Sequence, residues 1–205
     1  MESLSDLTVV SAIMAGICLS AASGLRVFLP VLALGLAARF GWLEVGEQFA
    51  WLASEPVLLV VGIAALFEAG AYYVPIVDNL LDIVATPAAI GGGTVIVSAL
   101  LPEMNELMQW STAVALGGGS AGVVQASTVL TRGLSTASSG GLANPLLSTA
   151  ETGGSLLVIV MALLVPILFG ILVLIALFWL IARLVRYFRQ RRQPSSSTVD
   201  PTGPC

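Results

Sequence analysis

STASSGGLANPLLSTAE, residues 135–151, lies between two of the most apolar segments of the chain. A run so rich in hydroxyls, glycines and helix breakers is either a surface loop or backbone held at membrane depth. Irregular backbone cannot face lipid, yet it is tolerated inside protein or beside a water-filled cavity. Its glycines permit turns of positive φ, and Asn144-Pro145 ends any helix that precedes it. The run has few charges and several leucines, which fits a re-entrant segment better than a solvated linker. Ser135, Thr136, Ser138 and Asn144, flanked by Arg132 and Glu151, would then replace part of a solute's hydration shell.

Composition sets the surroundings of that segment. Of 205 residues, 57% are hydrophobic and 10% are charged, against about 25% charged in a typical soluble domain. Several segments approach the roughly 17–25 apolar residues that cross a bilayer. The expected fold is therefore an all-α integral membrane protein. One transmembrane helical domain is expected over residues 1–193, and a disordered tail, PSSSTVDPTGPC, over 194–205. The N-terminal MESLSD is acidic and lacks a basic signal-peptide region. Histidine is absent, which excludes histidine-ligated zinc or haem and removes the usual acid–base group near neutral pH. Cys18 and Cys205 make no disulfide or metal framework. GGGSAG and TASSGG lack the strand and the GK[ST] of phosphate-binding loops. No enzyme activity, cofactor, metal or nucleic-acid partner is expected; the lipid bilayer is.

About six membrane segments follow, some broken or re-entrant. They cover residues 7–22, 25–40, 56–74, 79–101, 107–131 and 154–188. Thr86-Pro87 and the glycines at 91–93 predict a break in the fourth. The sixth would be about 50 Å long as one helix, so it should project or bend at Pro166 and Gly170. Five of the eight arginines fall in RLVRYFRQRR, 183–192. The positive-inside rule places that cluster, and the C-terminus, in the cytoplasm of a multi-pass protein of the cell (inner) membrane. Six crossings would put the N-terminus there as well. The first two segments, joined by two residues, form either two spans or a re-entrant hairpin.

A weak internal (inverted) repeat links residues 20–32 with 135–147 through the frame S-x-A-S-x6-P-x-L. Transporters built from duplicated halves place such breaks together near the midplane. Between them, EAGAYYVPIVDNLLD, 68–82, carries three carboxylates. An ionised carboxylate at the bilayer centre costs at least about 2.5–3.5 kcal/mol on insertion scales. Glu68 is thus the leading candidate for a cation or proton site; its structural alternative is an ion pair with Arg26 or Arg132. Asp78, Asn79 and Asp82 either join it or form a solvated turn after Pro75. Gln125 and Arg26 are secondary candidates. Gly118 and Gly122 form a GxxxG that suits close helix packing, within the chain or in a homo-oligomer.

The combination ASGLRVFLPVL, FEAGAYYVPIVDNLLDIVATPAA and GGGSAGVVQASTVLTRGLSTASSGGLANPLLSTAE resembles the membrane family named for domain of unknown function 4126. The resemblance covers roughly residues 8–180. It implies a multi-span membrane protein and no particular reaction, and it makes these polar positions part of a family pattern. The expected function is a small channel or transporter for a small solute or ion. The alternative is a non-catalytic assembly or scaffold protein that packs through the Gly-rich helix.

Overall fold

The computed structural model describes the backbone of residues 2–71, 75–140 and 142–192, with side chains over the same ranges except 2–5, 75–83, 188 and 190–192. Among the described residues every regular element is helical. They run α1 (Glu2–Ser23), α2 (Phe28–Arg39), a 3₁₀ helix (Glu47–Ala53), α3 (Glu55–Ala71), α4 (Pro75–Leu100), α5 (Glu106–Ala113), a π-turn (Val114–Gly118), α6 (Gly119–Ser139), α7 (Asn144–Leu164) and α8 (Pro166–Arg192). Among the described residues four stretches are long and apolar enough to cross a membrane: Asp6–Ser23, Glu106–Ser139, Asn144–Leu164 and Pro166–Tyr187. The 3₁₀ helix and α3, bent by 60°, pass the same test only together, as a broken span or a re-entrant loop.

α1 is the central post. Ala15, Cys18, Leu19 and Ala22 are fully buried on it, packed with Ile96 and Leu100 of α4 and Ile159 of α7. Small side chains let the neighbouring backbones come very close. A Cβ on Gly93 would meet Ser20 Oγ at 2.5 Å and Ala121 Cβ at 2.8 Å, and one on Gly117 would overlap the Gly93 carbonyl. Without hydrophobic drive between lipid-bathed helices, such packing is a main source of association. Gly118 and Gly122 belong to the same seam. A Cβ on Gly118 would lie 2.8 Å from Thr94 Oγ1, and one on Gly122 3.4 Å from Ile90, so the surface offered to a second copy is taken by α4 of this chain.

These contacts also give each helix a direction. Gly16 faces Leu100 while Ser20 faces Gly93, so α4 runs antiparallel to α1. Ser148 meets Arg26 and Ser155 meets Ala22, so α7 is antiparallel as well. Gly170 lies on Met14, and Ile17 shares a pocket with Leu174 and Leu177, so α8 runs parallel to α1. After α2 the chain is back at the end of α4, where Gly46 N–H donates to Ala99 O at 2.9 Å. α1 and α2 thus form a hairpin with its tip at residues 24–27. The start of α1 and the end of α8 lie at opposite ends of the bundle.

Several expectations need correction. Residues 135–151 are almost wholly helical: α6 runs through Ser139, Gly140 closes it in the left-handed conformation (φ 63°), and α7 begins at Asn144. Pro145 stands at N1/N2 of α7, where its missing N–H costs nothing. α4 continues through Pro87 and the three glycines. The sixth segment is two helices, because Val165 (φ −140°, ψ 62°) reverses the chain between α7 and α8. The repeat coincides with two hairpins, α1–α2 and α6–α7, but both tips point the same way, so it is not inverted.

Candidate functional site

The break at 24–27 leaves the first N–H groups of α2 without helical partners, as at any helix start. Val27, the N-cap residue, offers no side-chain cap. The cap comes from α3. Glu68 accepts from Val27 N–H through Oε1 at 2.7 Å and from Phe28 N–H through Oε2 at 3.0 Å, with only 6% of the residue exposed. A carboxylate is the favoured partner there, since it meets both the orphan donors and the positive end of the helix dipole.

Arg26, inside the same break, is wholly buried. Its Nη2 donates to the Ser148 carbonyl at 2.7 Å and to Ser148 Oγ at 2.5 Å, and it lies 4.0 Å from Glu151 Oε2. Glu151 is held by Arg132 through both Nε, at 3.1 Å, and Nη2. Two planar donors facing two oxygens give a bidentate pair. Both guanidiniums also act electrostatically on Glu68. The hairpin tip is therefore fastened by α3 on one side and by α6 and α7 on the other. Two cations face two carboxylates, so the cluster is formally neutral among the described residues. Burying these charges is costly, and only such pairing offsets it.

Polar groups continue below the tip. Ser20 Oγ donates to Gly117 O at 2.5 Å and accepts from Ser120 Oγ at 3.0 Å. Ser23 Oγ is fully enclosed beside them. Gln125 is buried on α6, where its backbone N would be 3.0 Å from a Cβ on Gly24. On the outer side, Glu68 is at the edge of a mostly apolar pocket of about 250 Å³, lined by Val27, Phe28, Ala64, Phe67, Val84 and Ala85.

Of the sequence candidates, the structure thus brings together Glu68, Arg26, Arg132 and Glu151, with Gln125 nearby. Ser135, Thr136, Ser138 and Asn144 stand farther out, at the α6–α7 turn, and bond locally: Ser138 Oγ to Ser135 O, and Asn144 Nδ2 to Thr136 Oγ1 at 3.3 Å. The side chains of Asp78, Asn79 and Asp82 lie outside the described residues; their backbone belongs to the first turns of α4. Ser148, one of the hydroxyls of the 135–151 run, proves to be a partner of Arg26. Its signal is the spacing from Glu151, which puts both on one face of a helix.

Comparison with known proteins gives a family model described as domain of unknown function (DUF4126), which matches residues 13–186. No curated protein and no solved structure matches the chain.

Proposed function

The chain belongs to the DUF4126 family, a domain of unknown function, and from that premise we propose that it is a small membrane channel or transporter for a small solute or ion. The observation that carries the proposal is Glu68. It is a buried carboxylate among apolar helices, placed at the tip of the α1–α2 hairpin, where the first N–H groups of α2 point at it. Ionisable groups in such positions serve solute or proton pathways in many membrane proteins, and broken helices supply backbone donors to the solute. A proton or cation on Glu68 weakens its hold on Val27 and Phe28 and loosens the tip between the apolar pocket and the Arg26 network. The protein's own groups hold and release charge in this scheme; no covalent chemistry is involved.

The scaffold alternative relies on a glycine-rich face open to a partner. That face packs on α4 within the chain, which favours the transport proposal. A homo-oligomer would use another surface.

The charge distribution supports an orientation in the cell membrane. Glu44, Glu47, Glu55, Glu103 and Glu106 gather at the end where α1 begins, with Arg39 as the single arginine there. Arg183, Arg186 and Arg189 lie at the other end, which the positive-inside rule assigns to the cytoplasm. An odd number of crossings follows, with the start of α1 on the outer side, not the cytoplasmic start that six crossings would give.

The test is reconstitution of the purified protein into liposomes with a panel of protons, monovalent cations and small neutral solutes. At least one should move faster than through empty liposomes. A panel in which none does so would overturn the proposal.

A further inference from the structure

The seam between α6 and α8 carries two grooves, one above the other. At the arginine-rich end it forms a groove of about 330 Å³, walled by Leu130, Leu134, Leu180 and Leu184 and bordered by Thr131, Arg183 and Tyr187. Directly below, α6 and α8, with Leu116 of the π-turn and Ile17 of α1, line a second groove of about 310 Å³ that also includes Gly119, Val123, Leu174 and Phe178. From Leu116 to Leu134 the seam covers about 27 Å at 1.5 Å per residue. One leaflet fills about half of the ~30 Å hydrocarbon core, so the length suffices for an acyl chain.

Polarity follows the same axis. Arg183 stands over the Trp179 ring at 5.1 Å, a contact that holds its guanidinium at the groove's mouth. Tyr187 is one turn away, and Arg186 and Arg189 continue the basic surface. Below them the lining is almost entirely aliphatic and aromatic, apart from hydroxyls such as that of Ser127, which donates to Val123 O within its own helix.

We propose that this seam binds an anionic glycerophospholipid, its phosphate at Arg183 and Tyr187 and one acyl chain in the lower groove. A free phosphate would use only the mouth, whereas the apolar trough beneath it fits a chain. Clustered arginines at a cytoplasmic interface attract anionic headgroups by about 1 kcal/mol each, a factor of roughly five. This site is separate from the Glu68 cluster and does not depend on transport.

The test is native mass spectrometry of the full chain in detergent with equimolar dioleoyl-phosphatidylglycerol and dioleoyl-phosphatidylcholine. The phosphatidylglycerol adduct should dominate and fall about fivefold in Arg183→Gln. It should also fall in Gly119→Phe, which fills the lower groove; a Cβ there meets nothing nearer than Val114 O at 4.0 Å. Arg39→Gln, at the opposite end, should leave it unchanged. Equal retention of the two lipids, or an adduct indifferent to Arg183→Gln, would overturn the proposal.

Discussion

Glu68 Oε1 accepts a hydrogen bond from the backbone N–H of Val27 at 2.7 Å, so α3 supplies the cap for a helix to which it does not belong. Removing that cap should destabilise the hairpin in steps. Glu68→Gln keeps a carbonyl acceptor for one N–H and should cost about 1–2 kcal/mol. Glu68→Ala leaves one buried and one partly buried donor without their cap and should cost about 2–4 kcal/mol. Thermal unfolding in detergent should rank wild type above Gln and Gln above Ala. Equal melting for all three contradicts the capping role.

Arg132 and Glu151 form the most completely paired ion pair of the site. Arg132→Met or Glu151→Leu alone should destabilise by about 3–5 kcal/mol, since each leaves an uncompensated buried charge. Arg26 complicates the second, because its guanidinium lies 4.0 Å from Glu151. The double variant should therefore recover a large part, but not all, of the single losses. Additive losses in the double-mutant cycle would show that the two side chains do not interact.

Gly93 and Gly133 test the close packing of α4 on α1 and α6. Gly93→Ala places a methyl 2.5 Å from Ser20 Oγ and should destabilise by about 1–3 kcal/mol as overpacking does. Gly133→Ala meets nothing within 4 Å and should be neutral or stabilising by up to about 1 kcal/mol. Comparison of melting temperatures in one detergent is sufficient.

Glu103 and Tyr187 lie at opposite ends of the bundle. In a chain whose Cys205 is replaced by serine, a cysteine at Glu103 should react with an impermeant maleimide in intact cells, and one at Tyr187 only in inverted vesicles. Labelling of both from the same side contradicts the odd number of crossings.

Much of this was legible in the residues themselves. Apolar length and scarce charge lead to an all-helical membrane fold, and the exceptional Glu68, Arg26, Arg132 and Glu151 do converge. Pro166 marked a break, but composition carries no sign of whether a broken segment bends or reverses. That depends on which face packs on α1, a tertiary property. Residues 135–151 misled for a related reason. Hydroxyl-rich sequence is compatible with helix when each hydroxyl bonds back within its own turn, as Ser139 Oγ does to Ser135 O at 2.8 Å. Thr86-Pro87 failed as a break: α4 stays helical through both, as membrane helices tolerate proline more readily than soluble ones.

The central claim, that the charge at residue 68 lies on the solute's path, is tested most directly by flux into proteoliposomes holding equal amounts of monodisperse wild type, Glu68→Gln and Asn144→Ala. Flux should fall at least about tenfold in Glu68→Gln, a rise of roughly 1.4 kcal/mol or more in the barrier, and persist in Asn144→Ala, which lies away from Glu68 at the α6–α7 turn. Equal flux for wild type and Glu68→Gln would contradict it.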